Sequence, residues 1–154
     1  MSSLLIANAR VLDPASGFDG PGFVGIRNGK ITGVSKTVPK EKYTRTLDAK
    51  KLWLMPGIVD LAARFREPGQ TSKGSIRSES RAAQAGGITS VVLPPDTTPV
   101  VDTPAVVDRI HSKAAAAGGL DIRVLGALTK GLGSEARGEV SAAKQAGSAP
   151  GPRA

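Results

Sequence analysis

The apolar positions of this chain fall into two regimes, and the change between them comes at Pro56-Gly57. Before that point, apolar residues occur in short runs broken by turn formers. Leu4 to Ile6 and Val11-Leu12 predict two short strands with a break between them, and Asp13-Pro14 with Gly17 to Gly22 predicts a loop. Phe23 to Arg27 and Lys30 to Val34 flank Asn28-Gly29. That dipeptide is the strongest short hairpin signal, because both central residues of a type I′ turn need positive φ. Thr46-Leu47 and Leu52 to Leu54 add two more strands to the same sheet. Residues 1–55 therefore read as a β-rich layer, marginal on its own at that size.

After Pro56-Gly57 the pattern alternates between apolar runs and helical periodicity. Ile58 to Leu61 is a short strand leading into polar positions. Ser75 to Ala85 follows as a helix with Ile76, Ser80, Ala82 and Ala83 inward, ended by Gly86-Gly87. Ile88 to Leu93 is a β-branched run of the kind covered on both faces, and Pro94-Pro95 stops it. Thr103-Pro104 supplies an N-cap and a proline at the first helical position, so a helix runs on from Ala105 to Ala117 and closes at Gly118-Gly119. Ile122 to Leu125 predicts a third buried strand and Glu135 to Ala146 a third helix. Residues 147–154 lack periodicity and read as a disordered tail.

The order β-α-β-α-β-α over residues 56–146 predicts parallel strands joined by right-handed crossovers. Three such units are too few to close an eight-stranded barrel, which takes about 250 residues. The alternatives are a small open α/β domain and the opening third of a barrel.

Composition narrows the chemistry. Hydrophobic residues make up 40% of the 154 positions and aromatics only 3%, so the core rests on Val, Ile, Leu and Ala. The absence of cysteine excludes disulfides, thiolate metal sites and a cysteine nucleophile. No apolar run reaches the length of a membrane span and no basic segment followed by an apolar one opens the chain, so the expectation is a cytoplasmic protein with no membrane partner. A net charge of +8 and a pI near 10.2 raise the question of nucleic acid. The cations are dispersed, however, and the few aromatics do not interleave with them, which argues against nucleic acid. An acidic protein partner or an anionic metabolite fits this charge at least as well.

Candidate chemistry concentrates between Met55 and Pro99, at the carboxyl ends of predicted strands, where α/β folds place ligands. Asp60, Arg64, Arg66 and Asp96 all fall there. No Walker A pattern, Ser-His-Asp set or Rossmann glycine fingerprint is present. The single histidine, His111, lies in the second predicted helix, where packing or solvent exposure is the expected role, and one imidazole cannot make a metal site. Arg77 and Arg81, four residues apart, form a stripe that faces solvent or a partner.

Taken together, LLIANARVLDP, IRNGKITGV, LDAKKLWLMPGIVDL, FREPGQTSKGSI, RAAQAGGITSVV and LPPDTTPVVDTP resemble dihydroorotases and the related cyclic amidohydrolases. The resemblance covers about residues 3–130 and is most specific at FREPG and AGGIT. It implies an α/β fold: an N-terminal part of a β-sandwich, then the first three βα units of an incomplete (β/α)8 TIM-type barrel. In active members one or two zinc ions in the barrel activate water to hydrolyse a cyclic amide.

By the same resemblance, Ala62 and Arg64 stand where the family carries a His-x-His pair of metal ligands at the end of the first barrel strand. Alanine cannot coordinate, and arginine is a permanent cation without a free lone pair, so no zinc or other cofactor is expected here. Arg66 stands at the family's substrate-carboxylate arginine. It reads either as a bidentate anion contact or as an ion pair with Glu67 or another acid. Asp96 replaces an asparagine that contacts substrate, and its charge would repel dihydroorotate. Arg64 and Asp96, at the ends of neighbouring strands, are expected to pair with each other. Asp60 reads as a carboxylate bonded to nearby backbone or, less simply, as a support for the site.

Some members of this family lack the metal ligands and serve as structural partners of aspartate carbamoyltransferase in pyrimidine biosynthesis. The resemblance implies that role here, without catalytic activity. The alternative is an incomplete product of a longer zinc-dependent amidohydrolase gene, with no independent function. A third reading, an active amidohydrolase using other chemistry, lacks nucleophilic or metal machinery.

Overall fold

A computed structural model describes residues 2–133 and 136–150. It divides into two compact units, Met1–Pro56 and Gly57–Ala154.

The first unit is a five-stranded sheet built from β1 (Ser3–Asp13), β2 (Phe18–Arg27), β3 (Lys30–Ser35), β4 (Arg45–Asp48) and β5 (Trp53–Leu54). β1 is central: it pairs antiparallel with β2 and parallel with both β4 and β5. The break expected between Ile6 and Val11 is a register shift inside one continuous strand, with Asn8 at φ 63°. Asparagine tolerates that left-handed conformation, so the ladder resumes on the far side. β2 likewise begins at Phe18, inside the stretch expected to be a loop, because Asp19 to Gly22 pair with the second half of β1. Asn28 and Gly29 turn the β2–β3 hairpin at φ 49° and 76°, as a type I′ turn requires. Alternation along β1 and β2 buries Ala9, Val11 and Val24 with Ala49, and Phe18, Ile26 and Leu54 pack against them. It is a small core.

The second unit is a four-stranded sheet in the order β6-β7-β8-β9: β6 (Ile58–Asp60), β7 (Ile88–Leu93), β8 (Asp121–Gly126) and β9 (Ser148–Pro150). All its pairings are parallel. Helices α1 (Ile76–Ala85), α2 (Pro104–Ala117) and α3 (Val140–Gln145) make the crossovers. Val91 and Leu93 of β7 and Ile122 and Val124 of β8 point to one face, where Ile76 of α1 and Val107 and Ile110 of α2 complete the core. The opposite face is open: Arg123 and Asp121 are exposed there and pair with each other at 3.0 Å, and Ser90 and Val92 are only half-buried. Covering of β7 on both faces is therefore not observed, because the described helices all lie on one side of the sheet.

The helices adjust the expectation in three places. Ser75 caps α1 through a reciprocal bond with Ser78, and Ile76 and Ser80 are buried, but Ala82 is exposed and Ala83 half-buried. Thr103 caps α2 by backbone geometry alone, with no side-chain bond. α3 starts at Val140 instead of Glu135, since a 3-10 turn at Lys130–Leu132 and a bridge between Thr129 and Arg137 occupy the approach. Glu135 itself lies outside the described residues. Of the stretch read as a tail, Ser148–Pro150 forms β9 beside β8, because backbone pairing needs no side-chain periodicity; residues 151–154 lie outside the described residues. No helix among the described residues is long and apolar enough to cross a membrane.

Candidate functional site

The candidate site forms where the chain leaves β6 and β7. Past Asp60 the backbone stays beside β7, with the Ala63 N–H donating to the Val92 carbonyl at 3.1 Å. Period-2 alternation continues through this segment. Ala63, Phe65 and Glu67 turn inward and are buried, whereas Ala62, Arg64 and Arg66 are exposed on the other side. Asp60 accepts the Ala62 N–H at 2.9 Å, the local backbone role expected of it.

Arg64 Nε donates to Asp96 Oδ2 at 2.6 Å, so the pair expected from the sequence forms. It joins the end of the first strand of the sheet to the loop after the second. Arg66 and Asp96 line one pocket together with Arg64, Gln70, Thr97 and Thr98. Arg66 makes no ion pair among the described residues. The expected pairing with Glu67 fails for a geometric reason: successive side chains point to opposite sides, and Glu67 has turned into the core.

There Glu67 is almost fully occupied. Its side chain is 6% exposed, its Oε1 meets Lys113 Nζ at 2.5 Å, and its Oε2 accepts the Ile76 N–H at 2.7 Å. Burial opposes the carboxylate charge, but the hydrogen bonds of Lys113 and Ile76 with the charges of Lys113 and Arg109 outweigh it and hold the carboxyl below its ordinary range. Ile76 opens α1, so the carboxylate also satisfies one of the unpaired amides at that helix start. In the sequence Glu67 stands out only as an acid beside Arg66. The buried parity of residues 63, 65 and 67 was the available signal.

Two loops close the pocket. The Thr98 N–H donates to the Pro68 carbonyl at 3.2 Å, and the Val101 N–H to the Pro95 carbonyl at 3.1 Å. Gly69 permits this approach: at φ 111°, a Cβ on it would lie 2.6 Å from the Thr98 carbonyl oxygen. His111 stands apart, on α2, with Nε2 buried, without a hydrogen-bond partner among the described residues, and facing Gly147.

The residues present do not fit a zinc site. Ala62 offers no donor, the Arg64 guanidinium is already committed to Asp96, and no three potential His, Cys, Asp or Glu ligands gather among the described residues.

No protein-family model matches the chain. Among solved structures, an L-hydantoinase (dihydropyrimidinase) from Arthrobacter aurescens superposes with a TM-score of 0.75 at 23% identity, over 84% of this chain and 28% of that one. A dihydropyrimidinase from Brevibacillus agri NCHU1002 gives 0.66 at 20% identity, over 80% and 27%. The fold is thus that of part of an amidohydrolase barrel with its N-terminal β-rich portion. Sequence comparison is more specific. A dihydroorotase-like protein of Pseudomonas aeruginosa (strain PAO1) is 43% identical over 145 residues, and a dihydroorotase of Anaeromyxobacter dehalogenans (strain 2CP-C) is 43% identical over 144. Both matches take in 94% of this chain, so nearly all of it is similar to part of a protein named dihydroorotase or dihydroorotase-like. It spans about a third of the length of those relatives, 34% and 33% respectively.

Proposed function

We propose that this chain carries a dihydroorotase scaffold whose metal site has been replaced by an ion pair, and that it serves pyrimidine biosynthesis by assembling with aspartate carbamoyltransferase instead of hydrolysing a cyclic amide. The observation that carries this reading is the Arg64–Asp96 contact at 2.6 Å beside Ala62. Resemblance assigns zinc-binding histidines to positions 62 and 64, and here one offers no ligand while the other binds a carboxylate. A guanidinium in that place would repel a divalent cation. Arg66 has no acidic partner among the described residues, which supports a retained contact for a carboxylate anion.

The test has three arms on the purified 154-residue chain. Metal analysis after dialysis is expected to find zinc far below one equivalent, and dihydroorotate turnover is expected to be absent. Aspartate carbamoyltransferase is expected to co-purify with the tagged chain. Near-stoichiometric zinc with turnover would overturn the inactive reading, and failure to co-purify would overturn the assembly role.

A second reading has its own support. Val59 and Leu61 share the parity of buried Ala63 and Phe65, yet are 56% and 71% exposed, and among the described residues β6 pairs on one side only. That open flank, with the match to a third of each relative, supports a portion of a longer amidohydrolase. An open reading frame continuing past residue 154 with further strand-helix units would decide for it.

A further inference from the structure

Arg66 is the one residue of the pocket whose backbone needs holding. Its φ is +62°, in the left-handed region that a residue with a Cβ seldom occupies, and its carbonyl accepts the Gln70 N–H at 2.7 Å. On one side stands Phe65, packed into the core of the second unit. On the other stands Glu67, whose carboxylate oxygens are divided between Lys113 of α2 and the first amide of α1. Redirecting the Cα–Cβ bond of Arg66 away from the pocket would have to rotate the peptide between these two anchors, whereas the side-chain torsions beyond it stay free to meet a ligand. Arg64, by contrast, is fixed by its own side chain on Asp96.

We propose that Glu67 is the positioning residue for Arg66: bound to Lys113 and to the Ile76 amide, it acts as a clamp on the adjoining backbone that aims the Arg66 side chain at the pocket for a carboxylate anion. The proposal rests on the reading of Arg66 as an anion contact. Two facts separate the clamp from simple core filling. A buried carboxylate with both oxygens engaged fixes direction as well as volume, which an apolar side chain would not do. The anchor also reaches two helices at once, so the pose of Arg66 depends on Lys113, a residue of another element that is not among the pocket's lining. Preorganising a binding group in this way raises affinity by removing the ordering cost from the binding step.

The experiment uses the whole 154-residue chain, with dihydroorotate as the probe anion in isothermal titration calorimetry. Variants are Arg66→Ala, Glu67→Gln, Lys113→Met and Lys113→Arg. Glu67→Gln and Lys113→Met are expected to weaken binding roughly tenfold. Lys113→Arg, which keeps the cation, is expected to restore most of it. In parallel, the Nε–Hε resonances of Arg66 and Arg64 are followed by heteronuclear relaxation without ligand. Losing the clamp is expected to raise the mobility of Arg66 and leave Arg64, held on Asp96, unchanged.

The outcomes separate the two ideas. Arg66→Ala binding as tightly as the parent chain, or no binding by the parent chain, would overturn the anion reading, and the relaxation data would still judge the clamp. Folded Lys113→Met or Glu67→Gln with parent affinity and an equally rigid Arg66 would overturn the clamp while the anion reading stood. Should Glu67→Gln fail to fold, the Lys113 pair decides alone, because Lys113 is 44% exposed and tolerates replacement more readily.

Discussion

Arg64 Nε lies 2.6 Å from Asp96 Oδ2, so a single charge pair joins the end of β6 to the loop that follows β7. Both side chains keep considerable exposure, 54% and 39%, and water screens such a pair. Its importance is electrostatic more than structural: Asp96 would otherwise stand unneutralised in the pocket that Arg66 lines. Arg64→Ala is therefore expected to leave the melting temperature unchanged and to weaken dihydroorotate binding. Asp96→Asn, which removes the negative charge and restores a donor, is expected to strengthen it. Calorimetric titration of the two variants checks both signs, and an Asp96→Asn affinity equal to that of the parent chain would show that Asp96 does not influence the anion.

The Glu67 clamp makes a pH-dependent contribution to stability. Its folded-state carboxyl lies below the ordinary value of 4.5 that it regains on unfolding. The unfolded chain thus binds this proton more readily, and stability rises with pH through that window. The contribution is fully present above pH 4.5 and is lost as pH falls through the depressed folded value. Urea unfolding should show Glu67→Gln less stable than the parent by about 2 kcal/mol at neutral pH. The gap should narrow on acidification below pH 4.5. A gap that stayed constant down to low pH would assign the loss to packing instead of charge.

Ser80 presents the opposite case. Its hydroxyl is buried in the interior of α1, at 1% exposure, and has no hydrogen-bond partner among the described residues. An unsatisfied buried hydroxyl is a cost, and serine is the weaker helix former. Ser80→Ala is expected to stabilise the chain by about 0.5–1 kcal/mol, read as a higher urea midpoint at unchanged slope.

Much of this was legible in the sequence because it depends on local rules. The Asn28-Gly29 hairpin, the strand from Ile88 to Leu93 and the helix that ends at Gly86-Gly87 follow from turn chemistry, apolar runs and helix stops that each act over a few residues. The Arg64–Asp96 pair was legible too, since parallel neighbours bring their carboxyl ends together. What escaped depends on partners distant in sequence. β9 has no apolar period of its own and exists because β8 offers a backbone edge. Glu67 finds Lys113 across a distance in sequence that no short-range pattern encodes. A helix starting at Val140 in place of Glu135 reflects loop bonds, such as the Gly138 N–H to the Leu128 carbonyl at 2.9 Å, that outcompete helical turns.

Gly69 couples the two loops of the pocket, and its substitution tests that coupling. Gly69→Ala faces a φ of +111° and a Cβ only 2.6 Å from the Thr98 carbonyl oxygen, with backbone on the far side of the contact. The expected cost is about 2–4 kcal/mol, with weaker anion binding as the Pro68–Thr98 contact opens. Gly87→Ala is the control. Its φ is +82° but nothing lies within 4 Å of the new Cβ, so it should cost about 1 kcal/mol and leave binding alone. Equal losses in both variants would mean that only backbone strain matters at position 69.

The open flank of β6 predicts behaviour of the chain in solution. Among the described residues β6 has a strand on one side only, and Ile58, Val59 and Leu61 expose 48%, 56% and 71% of their surface beside its other edge. Unpaired edges flanked by apolar side chains recruit further strands, and charge at such positions blocks the approach. The 154-residue chain is therefore expected to self-associate as concentration rises, and the double variant Val59→Lys with Leu61→Lys to sediment as a smaller species at every concentration. Because both side chains already face solvent, each substitution should change stability by less than about 0.5 kcal/mol. Sedimentation velocity paired with thermal unfolding checks the two statements together. A lysine variant that associates like the parent would place the sticky surface elsewhere, and one that unfolds at much lower temperature would show that Val59 and Leu61 are covered in the folded state.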